Sequence, residues 1–310
     1  MEILLLILII IASLALLLKS ADYIILGISR YAKTLGLSDA IIGLLVVSMA
    51  ASLPEIIASL SGLIVGNMDI AAGALIGTNM VHLALVVGVL SIVGKKMDLS
   101  CEVLDKSKLL IFGLFIIPFI VMSDGILSRP DGLLLIGSFV IYVIYLWNKE
   151  GTLGKIKKNV KLKHIWKDVL IFIGGLIALL MAGRILVYGV VNLSVALRIS
   201  TYFITLIIIG IGSALPDFVV GLQSVLKKHQ EIGVGDFLGS TMIQFLLYLG
   251  IISLIQPLTI DVKNILIAGV FLITSMGVLL LFLNKKVITW KHGLVLVGIY
   301  LLFIISQWFV

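Results

Sequence analysis

Ser52-Leu53-Pro54-Glu55 lies inside one apolar run, and Ala214-Leu215-Pro216-Asp217 lies inside another, 162 positions later. In each copy a carboxylate follows a proline within a hydrophobic stretch long enough to cross a bilayer. Proline lacks a backbone donor and clashes with the preceding turn, so each helix is expected to break or kink just before the acid and free backbone carbonyls there. An ionised carboxylate at mid-bilayer costs several kcal/mol, about 3 on insertion scales, unless it meets a partner, a cavity or a cation. One such copy is compatible with a kinked helix whose acid is neutral or paired. Two copies at a fixed spacing ask for a function.

The sequence around them is that of a polytopic membrane protein. Of its 310 residues 61% are hydrophobic and 13% charged, and the mean hydropathy is +1.27. The single cysteine, Cys101, excludes an intrachain disulfide framework and a cysteine zinc cluster. The first apolar run, Ile3 to Leu18, lacks a basic lead-in and a small-residue cleavage site, and reads as a retained transmembrane helix. The net charge of +7 resides in loops, where it reports topology and gives no reason to expect a nucleic acid partner.

Charged and turn-forming residues divide the chain into ten apolar spans. The first five are Ile3 to Lys33, a span that begins after the N-cap candidate Ser38 and carries Glu55, then Ile70 to Val93, Leu109 to Met122 and Gly132 to Trp147. The second five are Val169 to Leu197, Tyr202 to Leu226, Ile232 to Ile255, Ile265 to Leu283 and Thr289 to Phe309. The domain organisation expected is a five-helix repeat over 1–148, a basic connector over 149–167, and a second five-helix repeat over 168–310. Five is an odd number, so the halves must insert with opposite orientation. If the connector is cytoplasmic, so are the loops with Arg30 and Lys33, Lys95 and Lys96, Lys227 and Lys228, and Lys285, Lys286 and Lys291. The other side keeps Arg129, Arg198 and Lys263, which puts both termini outside a cell membrane crossed many times.

The repeat holds without a gap. At the offset of 162, Gly27 matches Gly189, Ser38 matches Ser200, Leu53-Pro54 matches Leu215-Pro216, Gly73 matches Gly235 and Gly77 matches Gly239. Glu55 falls on Asp217 and His82 on Gln244. The fold class expected is therefore an all-α membrane protein of ten transmembrane helices arranged as two inverted five-helix repeats, with a site near the midplane where the repeats meet.

In each half a glycine-rich helix follows the proline-acid one, Gly73 to Asn79 and Gly235 to Thr241. Small residues at four-residue spacing let backbones approach closely. Beside the glycines, Thr78, Asn79, Ser240, Thr241 and Gln244 offer neutral oxygens. Two carboxylates, Glu55 and Asp217, with neutral oxygens suit calcium, whereas a cage richer in hydroxyls suits sodium.

The paired Ser52-to-Glu55 and Ser213-to-Asp217 motifs, each followed by a Gly-x-x-x-Gly-(Ser/Thr) helix, resemble the two alpha repeats of the sodium/calcium exchangers in the calcium/cation antiporter superfamily. The resemblance covers essentially the whole chain. It implies alternating access, with the long first and sixth helices sliding across a bundle of the others, and no resident cofactor: inorganic cations are the cargo and the bilayer the only other partner. It places the two central acids at Glu55 and Asp217 and the site hydroxyls at Ser52, Ser213, Thr78 and Ser240. His82 stands where a polar side chain is expected one turn after Thr78, and Gln244 where some prokaryotic members carry an aspartate. Ala51 and Ala214 replace a threonine and a serine of the family, and Asp236 replaces its usual asparagine. These departures leave fewer hydroxyls for sodium. His82, an imidazole with an unperturbed pKa of about 6.5, supplies the proton as the other coupling ion. The expected function is thus exchange of a divalent cation, calcium foremost, for sodium or protons, with exchange of other or only monovalent cations as a variant.

Asp22 and its repeat mate Arg184 lie within spans, with Lys19 one turn before Asp22, and form either a structural ion pair or part of a gate. Asp236 near its helix start serves as a cap or a cation-attracting mouth. A different class, an intramembrane aspartyl protease, is suggested by Gly233-Val234-Gly235-Asp236 and by Ala214-Leu215-Pro216. It requires two aspartates sharing a proton and gives no reason for the 162-residue repeat. Calcium protection against thermal unfolding separates a transporter from a degenerate, non-binding relative, because a ligand of the folded state alone raises stability. A transporter, not an enzyme, is the reading expected.

Overall fold

The computed structural model describes residues 2–34, 52–98, 102–150, 165–226, 237–284 and 287–309. Among them the chain is almost wholly helical. The elements in order are α1 (Glu2–Thr34), α2 (Leu53–Ile64), α3 (Met68–Gly94), β1 (Lys96–Asp98), α4 (Glu102–Val121), β2 (Ile126–Leu127), α5 (Arg129–Glu150), α6 (Ile165–Leu197) and α7 (Thr201–Leu226). There follow α8 (Phe237–Ile255), β3 (Leu258–Thr259), α9 (Val262–Asn284), β4 (Val287–Thr289) and α10 (Trp290–Trp308).

Among the described residues six helical stretches are long and apolar enough to cross a membrane: Ile3–Ser20, Met68–Gly94, Ile173–Leu197, Phe237–Ile255, Val262–Leu283 and Trp290–Trp308. Leu53–Ile64, Lys108–Val121 and Thr201–Leu215 are shorter apolar helices. Large apolar side chains such as Leu4, Leu8, Ile11, Leu133, Ile141, Leu301 and Ile305 point outward. A surface this apolar is out of place in water and suits lipid.

The interior is built on backbone contacts that only glycine permits. A Cβ at Gly77 of α3 would overlap the Leu206 carbonyl of α7, and one at Gly210 of α7 would stand 2.7 Å from the Gly77 carbonyl carbon. At Gly73 an added Cβ would meet the Tyr202 carbonyl at 2.8 Å. The two helices thus touch main chain to main chain over two turns. The long pair α1 and α6 packs along its length, with Gly189 against Ile10, and Gly183 seats α6 on Ile57 and Ser61 of α2.

Short strands tie the two halves crosswise. β1 pairs antiparallel with β4 in the register Lys96 to Thr289, Met97 to Ile288 and Asp98 to Val287. β2 pairs with β3 in the register Ile126 to Thr259 and Leu127 to Leu258. Adding 162 to Lys96 gives Leu258 and subtracting 162 from Thr289 gives Leu127, so the first pair maps onto the second residue by residue. The same offset carries the π-helical turn Val81–Val86 of α3 onto Ile243–Tyr248 of α8. It also carries Gly88, which abuts the Gly293 carbonyl of α10, onto Gly250, which abuts the Gly132 carbonyl of α5. Gly132 and Gly293 are 161 apart, so one residue separates the two registers between the strands and the last helix of each half.

Three expectations need revising. Pro54 does sit in the first turn of α2, with Ser52 at the N-cap position. Pro216, however, lies within the continuous helix Thr201–Leu226, so the second copy is not broken. A single proline removes one i to i−4 bond, and a helix already braced against its neighbours continues past that loss. The fourth helix begins at Glu102, inside the stretch expected to be loop, and the four short strands had no signal in the sequence. Ser38 and connector residues 151–164 lie outside the described residues.

The glycine contacts give a direct test. Gly77→Ala is expected to lower the apparent Tm of the detergent-purified chain, by the equivalent of about 1–3 kcal/mol for overpacking a close contact. Gly113→Ala and Gly298→Ala, where nothing lies within 4 Å of an added Cβ, are expected to leave it unchanged or raise it slightly. Equal melting of all three variants would show that the α3 and α7 backbones are not held together in this way.

Candidate cation-binding site

Four helices bring polar side chains to one buried centre. Ser52 and Glu55 come from the start of α2, Thr78, Asn79 and His82 from the middle of α3, Ser213 and Asp217 from α7, and Ser240, Thr241 and Gln244 from α8. Apart from Asp217, every one of these is buried. The π-helical turns start directly beyond Thr78-Asn79-Met80 and Ser240-Thr241-Met242, and each holds its second residue, His82 or Gln244, toward the interior. A π-turn inserts a residue into the helical ladder and re-aims the side chains that follow, a device common at functional sites.

The α3 and α7 contact sets the first pair of oxygens. With Gly77 against Leu206 and Gly210, the Thr78 and Ser213 hydroxyls come to 3.0 Å. Ser213 donates its proton to the Ile209 carbonyl at 2.7 Å, which leaves Thr78 as the donor between the two hydroxyls. Both oxygens keep a lone pair for a further ligand. On the α8 side, the Asn79 amide nitrogen donates to the Leu75 carbonyl at 2.7 Å and to Gln244 Oε1 at 2.8 Å. Both amide protons are then in use, so Asn79 Oδ1, buried and with no hydrogen-bond partner among the described residues, is left as an acceptor. Gln244 spends its oxygen on Asn79 and orients it. That division of labour between the two amides could not be read from spacing.

The charged groups lie close to the Ser213 hydroxyl and to one another. Glu55 is 1% exposed, and its Oε2 has no hydrogen-bond partner among the described residues. Asp217, His82 and Ser213 are each near enough to act on its carboxylate. His82 Nε2 lies 3.2 Å from Asp217 Oδ2, with the Asp217 side chain 12% exposed. The Phe237 ring of α8, a neighbour that nothing in the sequence pointed to, lies against the imidazole with centroids 5.6 Å apart. Ser240 Oγ and Thr241 Oγ1 are buried on the same helix as Gln244, with no hydrogen-bond partner, either carboxylate included, among the described residues.

A carboxylate held this deeply with an open oxygen is destabilising by several kcal/mol without a counter-charge. The donor set beside it is one of hard oxygens: two carboxylates, two hydroxyls and an amide carbonyl. Among the described residues no three or more His, Cys, Asp and Glu side chains gather as a metal cage, so neutral oxygens must complete any coordination shell. That composition fits a calcium-sized cation and not zinc or copper.

Of the remaining sequence candidates, one has a described side chain. Arg184 is exposed on α6. Asp22 belongs to α1, but its side chain lies outside the described set, as do Ala51 and Asp236.

Comparison with known proteins identifies the family of the chain. The family profile described as sodium/calcium exchanger protein matches residues 5–148 and 167–309. The putative antiporter CaxA of Alkalimonas amylolytica is 29% identical over 260 residues, covering 81% of this chain and 81% of its own. A solved structure of the sodium-calcium exchanger NCX_Mj is 25% identical, with a TM-score of 0.68 over 98% of this chain and 99% of its own. The crystal structure of the H+/Ca2+ exchanger CAX shares the fold at 15% identity, with a TM-score of 0.77 over 97% of this chain and 86% of its own. With nearly its whole length matched in two blocks that coincide with the two halves of the repeat, the chain belongs to the sodium/calcium exchanger protein family.

Proposed function

We propose that the chain is a secondary cation antiporter that binds a divalent cation, calcium foremost, between Glu55 and Asp217 and exchanges it by alternating access. The buried Glu55 carboxylate, with one oxygen open, Asp217 near enough to act on it, and the Ser213–Thr78 hydroxyl pair beside it, carries this reading. Two formal negative charges balance one divalent ion. Thr78, Ser213 and the Asn79 carbonyl supply neutral oxygens, the buried Ser52 of α2 and Ser240 of α8 are further candidates, and Gln244 positions Asn79. Family membership adds nothing in favour of an intramembrane protease, and the groups near Asp217 are His82 and Glu55.

The scaffold proposed is ten transmembrane helices in two inverted repeats, 1–148 and 168–310, joined by the basic connector 149–167, with both termini outside the cell membrane. The crosswise strand pairs, the duplicated π-turns and the loop charges support it. Helices α1 and α6 carry none of the strand pairing and pack chiefly on one another, which suits them to slide across the other eight.

The His82–Asp217 contact favours the proton as the exchanged ion. A protonated imidazole 3.2 Å from Asp217 Oδ2 places a positive charge where a calcium ion draws its second negative ligand, so proton and cation compete for one carboxylate. Around the imidazole stand Asp217 of α7, Glu55 of α2 and the uncharged Phe237 ring of α8. Lowering pH charges His82 and weakens calcium binding; raising it restores binding.

Calcium-45 uptake into proteoliposomes tests both statements. Glu55→Gln and Asp217→Asn are each expected to reduce uptake at least about tenfold, since each removes a charged ligand of the ion. Uptake indistinguishable from wild type in both variants would sink the calcium assignment. Wild-type uptake is expected to follow an imposed pH gradient, whereas uptake driven only by a sodium gradient would transfer the coupling to sodium. His82→Gln is expected to flatten the dependence of calcium affinity on pH; an unchanged profile would remove His82 from the coupling.

A further inference from the structure

A second group of oxygens lies away from the centre, at the end of the bundle where α3, α7 and α9 begin. Asp69, Tyr202, Thr259, Asp261 and Asn264 line a cleft there, together with apolar side chains. The two carboxylates and the tyrosine are close enough to feel one another's charge. The cleft leaves about 30 Å³ for the centres of water-sized particles, room for a cation with one or two waters at roughly 10–15 Å³ each.

Two acids at a helix start can be no more than solvated caps, and one Asp261 oxygen does serve as such, accepting the Lys263 backbone N–H at 2.9 Å. The neutral groups are what a cap does not explain. Tyr202 is only 6% exposed, yet its hydroxyl has no hydrogen-bond partner among the described residues, and the buried Asn264 Oδ1 has none either. Buried polar atoms are almost always satisfied, so two open ones in a cleft lined by carboxylates mark a place for a ligand.

We propose that this cleft is a second divalent-cation site, in which Asp69 and the free oxygen of Asp261 supply charge and Asn264 Oδ1 and the Tyr202 hydroxyl supply neutral ligands. With waters these donors reach the six to eight oxygens that calcium takes. The site also lies at the head of α7, with Thr205 and then Ser213 further along the same helix, the latter about 16 Å away at 1.5 Å per residue. The intervening face is closed by the α3 backbone at Gly73 and Gly77, so the cleft captures the ion at the end of the bundle and delivers it to the centre when α3 and α7 part during alternating access. This delivery role rests on the antiporter reading, whereas the binding itself does not.

Calcium titration calorimetry on the full chain in detergent tests the binding. The Glu55→Gln/Asp217→Asn variant is expected to keep one calcium equivalent, weaker than that of the centre, and adding Asp69→Asn/Asp261→Asn is expected to abolish it. No retained equivalent, or one that survives the added changes, overturns the site. Tyr202→Phe, which keeps the ring packing, is expected to weaken the retained equivalent about two- to fivefold at unchanged Tm, and it decides the matter should the quadruple variant not fold. In transport, Asp69→Asn and Asp261→Asn in the otherwise unchanged chain are expected to raise the calcium KM several-fold with the maximal rate retained, and an unchanged KM removes the delivery role. Failure of the central site appears instead as Glu55→Gln matching wild type, independently of these variants.

Discussion

The approach of the α3 and α7 backbones at Gly77, Leu206 and Gly210 is the contact on which the centre depends. Hydroxyl side chains are short, and two of them come within 3.0 Å only if their main chains nearly touch. A single methyl group at either glycine would push the helices apart by more than a hydrogen bond tolerates. Glycine thus fixes a distance and hydroxyls use it. The carboxylates follow from the same geometry, since Glu55 and Asp217 reach the pair from α2 and from one turn further along α7.

The balance of charge at that centre is delicate. In a medium of low dielectric a buried carboxylate is strongly disfavoured alone and strongly stabilised by a cation. Glu55 is shut away from water, whereas Asp217 retains some exposure and has an imidazole beside it. The two acids are therefore unequal: one is committed to the interior, and the other sits between the interior and an imidazole.

Much of this was legible from the sequence because glycine, proline and acid are costly in a membrane helix and stand out from any apolar background. The offset of 162, read from those residues, recurs in the strand registers and the π-turns. What did not show was of three kinds. Strands of two or three residues are too short for alternation to register. The π-turns depend on backbone hydrogen bonding with no compositional signature. The roles of Asn79 and Gln244 follow from which amide proton meets which carbonyl, and only the placed helices decide that. Pro216 was misread because the local rule for proline was applied without the neighbouring helices that brace α7.

The strand pairs β1–β4 and β2–β3 stand at opposite ends of α4, and neither is made within one half of the chain. Each half carries one strand of each pair. A half standing alone would leave all of these main-chain groups without partners, yet a second copy of the same half, turned over, would supply matching strands at both ends. Each half therefore depends on the other at both of its strand ends, and the shared strand register holds the two in alignment while the matched side chains differ, glutamate against aspartate and histidine against glutamine.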